Sequence, residues 1–187
     1  MTTCPVLETE RLTRRPFRED DLDAYFTMMD TPELRESLRI PDSEGKHEAF
    51  HYMASKLGQW ELCGMGYWAL EERTSGRLIG ETGLSSPATH DAPGVAVVWG
   101  LHPDYWGNGY ATEAGTEAIQ YGFNALNESR LFSCILPDNH RSQAVAQRLG
   151  FELAEVQPLS YAPHEPVGIW TLDKQLEVIE NTLITRC

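Results

Sequence analysis

The stretch Trp106-Gly107-Asn108-Gly109-Tyr110-Ala111-Thr112-Glu113-Ala114 constrains this chain more than any other, because it joins a run of strand character to a run of helical spacing. A strand that hands over to a helix through glycines lets the backbone approach a ligand closely. The new helix then offers unpaired N–H groups and the positive end of its dipole. An anion of phosphate type fits such a place, although a glycine turn that merely starts a helix would use the same residues. A P-loop needs a lysine after its last glycine, and none stands here. A dinucleotide fingerprint needs glycine or alanine where Thr112 stands and a strand running straight into the turn, whereas His102 to Trp106 intervene.

On either side of this loop the hydrophobic period changes in an orderly way. Arg11 to Pro16 alternates weakly and ends at a proline, which predicts a short edge-type first strand. Asp20 to Met29 and Ser43 to Leu62 carry apolar residues at helical spacing, Leu22, Tyr25, Phe26 and Met29 in one and Phe50, Met53, Leu57 and Trp60 in the other. Gly66 to Glu72, Leu78 to Leu84 and Val95 to Leu101 read as three strands. After the loop, a helix is expected at Gly109 to Phe123, a strand at Leu131 to Leu136, a helix at Arg141 to Leu149, and strands at Phe151 to Val156 and Val167 to Leu172. Leu176, Ile179 and Leu183 predict a short terminal helix. The pattern describes a single α/β (α+β) domain whose antiparallel front leads into a parallel crossover.

Composition narrows the function. In 187 residues, 41% hydrophobic and 23% charged, there is enough apolar matter for one core and no run long enough to span a bilayer. A net charge of −13 argues against a nucleic-acid groove, which is built from clustered Lys and Arg. The opening Met1 to Pro5 has no basic segment before an apolar one, so a cytoplasmic location is expected. Four cysteines at 4, 63, 134 and 187 lack metal spacing and are expected to be free thiols, with no metal site.

The loop resembles that of the GCN5-related N-acetyltransferases (the GNAT superfamily), and within them the RimJ/RimL-type subgroup that acetylates ribosomal-protein amino termini and similar amines. Trp106, Gly109 and Ala111 occupy the key positions of the superfamily loop. The tryptophan departs from the usual Arg or Gln but matches the subgroup's Trp-Gly-x-Gly-Tyr-Ala-Thr-Glu-Ala. Asn139-His140-Arg141-Ser142 and Gln147-Arg148-Leu149-Gly150-Phe151 are similar to the family's Asn-x-x-Ser helix and its closing Leu-Gly-Phe. Glu8-Thr9-Glu10-Arg11-Leu12 and Gly80-Glu81-Thr82-Gly83-Leu84 also resemble the subgroup. The resemblance implies a GNAT domain over residues 6–174 with a helical tail at 175–187.

It further implies acetyl-CoA as cosubstrate, with Leu101, His102, Trp106, Gly107, Asn108, Gly109, Tyr110, Ala111, Thr112, Asn139 and Ser142 as its binding residues. A splayed pair of parallel strands, Val95 to Leu101 and Leu131 to Leu136, would take the pantetheine arm. Main-chain N–H groups near Leu101 would serve the oxyanion, Asn139 would orient the arm or cap its helix, and Ser142 would be the catalytic donor to the leaving thiolate. The glutamate that the subgroup usually carries in the central strand aligns with Ala96, so no general base is assigned. Glu81 reads as a strand-surface acid and His102 as a loop histidine. Phe26, Trp60 and Tyr161 are candidate contacts for the acceptor, an amine of a small molecule or a protein amino terminus. The protein is expected to act as a monomer or homodimer, apart from nucleic acid and membranes. The alternatives are a coenzyme A-binding sensor or interaction module without catalysis, and a nucleotide-binding regulatory domain.

Overall fold

The change of period along the sequence becomes a change of layer in the folded chain. The computed structural model describes residues 4–38, 45–87, 93–159 and 162–175. Its strands are β1 Leu7–Glu8, β2 Leu12–Arg15, β3 Tyr67–Glu72, β4 Arg77–Ser85, β5 Ala96–Leu101, β6 Arg130–Ile135, β7 Glu152–Leu159 and β8 Ala162–Asp173. Its helices are α1 Leu22–Met29, α2 Pro32–Leu38, α3 Lys46–Cys63, α4 Tyr110–Asn124 and α5 His140–Arg148. The strands form one sheet in the order β1-β2-β3-β4-β5-β6-β8-β7.

Neighbouring strands are antiparallel except β5 and β6, which run parallel and are paired only at Ala96 and Phe132. Each of these two strands is six residues long, so they part over most of their length. The expected splay is therefore present, and it opens toward Leu101. Helices cover both faces. α1 packs on α3 and β4, α4 on β2, β4, β5 and β6, and α5 on β6 and α4. One apolar cluster joins Phe17, Tyr25, Met28, Leu34, Met53 and Ala69, and the largest joins Trp60, Trp68, Leu84, Val97, Ala118, Leu131 and Phe151.

Two expectations need correction. The Arg11 to Pro16 segment is not an edge, because β1 pairs outside it and β2 lies between β1 and β3. Pro16 falls one residue past the strand, where it costs no ladder hydrogen bond. Helix α2 was not anticipated, although Thr31-Pro32-Glu33 has the proline at the first helical position and the acid in the first turn that favour a helix start. The terminal helix and the tail lie outside the described residues from 176 onward, and Leu172 belongs to β8. Among the described residues, no helix is long and apolar enough to cross a membrane.

Candidate functional site

The site grows from the open end of β5. The His102 N–H donates across the sheet to the Ile79 carbonyl at 2.9 Å, and the Phe132 N–H donates to Val95 at 2.9 Å from the other side. Alternation along a strand therefore turns the Trp99 and Leu101 amides toward β6, where the two strands have already parted. The Leu101 carbonyl is taken by the Trp106 indole N–H at 2.8 Å, while the Leu101 N–H faces the gap. The tryptophan thus ties the loop to the strand end.

Between them the chain makes a short 3-10 turn, Pro103–Tyr105, begun by His102 accepting from the Asp104 N–H at 3.3 Å. Gly107 and Gly109 follow with φ of +78° and +81°, a conformation that costs an L-residue about 1–2 kcal/mol. Gly109 is the N-cap of α4 and supplies no side-chain cap. The amides of Tyr110, Ala111 and Thr112 consequently have no helical partner. The Thr112 hydroxyl is buried and without a partner among the described residues as well. A buried orphan hydroxyl beside uncapped amides is the donor set that the phosphates of coenzyme A require, so these residues fit that group.

A network of side chains holds this loop from below. Glu113, one turn into α4, accepts from the Thr9 hydroxyl at 2.5 Å, from the Arg11 N–H at 3.0 Å and from the Arg11 guanidinium at 2.7 Å. The same guanidinium donates to the Asn108 carbonyl at 2.9 Å and lies 4.5 Å over the Tyr110 ring, whose hydroxyl donates to Glu72. Arg141 of α5 stacks 4.5 Å over the Trp106 ring and brings a cation to the mouth of the site.

Burial pushes the Glu113 pKa up, but the hydrogen bonds from Thr9 and Arg11 and the Arg11 charge outweigh it, leaving the carboxyl below its ordinary value. A depressed folded pKa gives stability that is present above the unfolded value and lost as pH falls through the folded one. The denaturant midpoint of the parent should therefore exceed that of Glu113→Gln at neutral pH. That difference should narrow once pH drops below 4.5 and close when the folded carboxyl is protonated. A difference independent of pH, followed by urea titration between acid and neutral pH, would show that the network owes nothing to the charge.

A cavity of about 710 Å³ runs along this surface. It is lined by Leu101, Trp106, Gly107, Gly109, Tyr110, Ala111, Thr112, Asn139 and Ser142, all named from the sequence, and by Trp99, Gly100 and the Glu33, Leu34 and Ser37 face of α2. His102 and Asn108 do not line it and act on the loop from behind. Asn139 caps α5 by accepting from the Ser142 N–H at 3.1 Å, and its amide donates to the Ser37 carbonyl at 3.1 Å. Both ends of that side chain are engaged, so it shapes the cavity by fastening α2 to α5. The cap is the alternative role expected for Asn139, and the bond to Ser37 adds to it.

The acceptor side differs more from expectation. Trp60 is 2% exposed, packs edge-on to Trp68 at 4.8 Å and donates to the Tyr67 carbonyl, so it is core. Phe26 packs in the α1 cluster, away from the cavity lining, and Tyr161 lies outside the described residues. Ala96 sits at the closed end of the splay, paired with Phe132. Glu81 is not a surface acid. Its side chain is 12% exposed and it accepts from Lys56 at 2.7 Å on Oε1 and 2.5 Å on Oε2. The Tyr25 hydroxyl also donates to Oε2, at 3.2 Å. Burial, with the Glu81 charge beside it, pushes the Tyr25 hydroxyl well above the ordinary phenol range and keeps it a donor. No spacing rule connects residues 25, 56 and 81, which is why sequence reasoning missed the cluster.

Comparison with known proteins agrees with this fold. The profile of the acetyltransferase (GNAT) domain family matches residues 11–152. YoaA of Bacillus subtilis strain 168, an uncharacterized N-acetyltransferase, is 26% identical over 148 residues, covering 79% of this chain and 83% of that one. An acetyltransferase from Agrobacterium tumefaciens str. C58 superposes with a TM-score of 0.81 at 28% identity, over 92% of this chain and 96% of that one. RimL, a ribosomal L7/L12 alpha-N-protein acetyltransferase solved with coenzyme A, shares the fold with a TM-score of 0.73 at 15% identity, over 90% and 98% of the two chains.

Proposed function

The chain belongs to the GNAT acetyltransferase family, and from that premise we propose that it moves the acetyl group of acetyl-CoA to a primary amine by direct attack within a ternary complex. The observation that carries this reading is the uncapped start of α4, where the buried Thr112 hydroxyl has no partner among the described residues, set beside the free edge of β5. Acetyl-CoA supplies an activated acyl thioester. The α4 amides and Thr112 hold its phosphates, and the Leu101 N–H donates to the oxygen that gains charge when nitrogen attacks carbon. The C–N bond forms as the C–S bond breaks. The nitrogen loses a proton, and Ser142, whose hydroxyl has no partner among the described residues, donates one toward the departing sulfur.

The acceptor is an amine of a protein amino terminus or of a small molecule. RimL, which shares the fold, supports the first of these. Calorimetry with acetyl-CoA, followed by a thiol-release screen over a peptide with a free amino terminus, amino acids and diamines, tests the reading. Binding without thiol release on any amine would make the chain a coenzyme A-binding module, the second reading that Ala96 favours.

Ser142→Ala should lower kcat about tenfold while changing the Kd for acetyl-CoA by no more than about twofold, because its donation is made to the transition state. Equal losses in both would move Ser142 from the chemistry to ground-state binding.

A further inference from the structure

Beyond the cofactor half of the site, one buried group lies directly behind the cavity wall with no task yet: the Glu81 carboxylate. In the sheet Glu81 of β4 stands directly across from Gly100 of β5, and Gly100 lines the cavity beside Trp99 and Leu101. Among the described residues and apart from its chain neighbours, a Cβ at position 100 would meet within 4 Å only Glu81, with Cγ at 3.7 Å and Oε1 at 4.0 Å. The missing side chain therefore leaves a notch the size of one methyl group between Gly100, which lines the cavity, and the Glu81 carboxylate behind it. It opens one residue from the Leu101 N–H assigned to the oxyanion.

The carboxylate is held for this position. An ionised carboxylate offers about four lone-pair sites. Lys56 and Tyr25 occupy three of them, two on Oε2 and one on Oε1. The remaining site is on Oε1, the oxygen nearest Gly100. Lys56 in turn lies among the rings of Tyr67 at 4.8 Å, Tyr25 at 5.0 Å and Tyr52 at 6.0 Å, which favour a cation there. Lys56 and Glu81 together carry no net charge. A lone carboxylate would bind an ammonium and oppose its deprotonation, whereas this neutralised one can accept an N–H from an amine that has already lost its extra proton to solvent.

We propose that Glu81 is the acceptor-binding carboxylate of this transferase, receiving one N–H of the incoming primary amine through the Gly100 notch so that the nitrogen lone pair faces the thioester held at Leu101. Lys56 and Tyr25 are its positioning residues. This rests on the acetyltransferase reading above. It also selects primary over secondary amines, because the notch is no wider than one missing side chain and takes one N–H while a second hydrogen stays on the nitrogen.

The test compares Glu81→Gln and Gly100→Ala with the parent, using thiol release over a series of primary amines and calorimetry with acetyl-CoA. Glu81→Gln should raise the KM for amine about twentyfold and Gly100→Ala about tenfold, with the Kd for acetyl-CoA within about twofold in both. Gly100→Ala keeps the Lys56, Tyr25 and Glu81 cluster intact, so it decides the matter if Glu81→Gln, which leaves Lys56 buried without its partner, fails to fold. A purely structural role for Glu81 predicts a lower melting temperature in Glu81→Gln and an unchanged amine KM in Gly100→Ala. Active variants with parental amine KM would overturn the assignment of Glu81 while leaving the transferase reading in place. A parent that binds acetyl-CoA and releases no thiol with any amine would overturn both.

Discussion

Gly109→Glu is expected to raise the Kd for acetyl-CoA at least about hundredfold, or about 2.7 kcal/mol, while the protein remains folded. Three physical effects add. The residue sits at φ +81°, where an L side chain is strained. It is the N-cap of α4, and an added Cβ comes within 3.5 Å of the Arg11 guanidinium, so a glutamate there competes with Glu113 and the Asn108 carbonyl for the cation that holds the loop. The new carboxylate brings a negative charge next to an anion. Among the described residues and apart from its chain neighbours, an added Cβ meets within 4 Å only the Arg11 nitrogen at 3.5 Å, the end of a flexible side chain, so the fold can absorb the change. Calorimetry on a variant with parental circular dichroism checks it. Binding within about threefold of the parent would place the phosphates elsewhere.

The second large effect comes from Arg11. A carboxylate in the first turn suits the α4 dipole, but it stands beside a site built for phosphates, where it opposes the ligand. Arg11 cancels that charge and anchors the Asn108 carbonyl at the same time. Arg11→Met should therefore weaken acetyl-CoA binding about fiftyfold, partly from loop disorder and partly from the exposed charge of Glu113. Adding Glu113→Gln should recover several-fold of that loss, since the second change removes the charge that the first left bare. A double-mutant cycle in Kd measures the coupling directly. Strict additivity, with no recovery, would mean that Arg11 acts on the loop by shape alone. Raising the salt concentration should shrink the difference between Arg11→Met and the double variant, as screening reaches this half-exposed pair.

Local signals made much of this molecule legible. The shift from helical to two-residue period and back marked nearly all the strands and helices, because each buries one face against a neighbouring layer. Trp106 to Ala114 and Asn139 to Ser142 could be placed at the start of helices from their residue types alone, and both motifs line the cavity. What stayed hidden depends on register. Arg11 and Glu113 lie 102 residues apart, and only the pairing of β1, β2 and β3 beside α4 brings them together. Glu81 looked like a surface acid because a glutamate is seldom buried unless it is paired. Its burial follows from Lys56 and Tyr25, two residues on separate helices packed over β4. Trp60 could be read from the sequence as core or as an acceptor contact, since an aromatic at helical spacing can face either way, and the packing against Trp68 decides for the core.

Trp106 has a consequence that reaches past its single hydrogen bond. By fastening the end of β5 to the glycine loop, it ties the proposed phosphate anchor to the proposed oxyanion donor. The distance between them becomes a fixed gauge. A thioester is then sorted by the length of the arm between its phosphates and its acyl carbon, before the acyl group itself is tested. A carrier too short for the gauge can occupy the loop, or reach the β5 edge, without ever doing both, and so it binds without being placed for reaction.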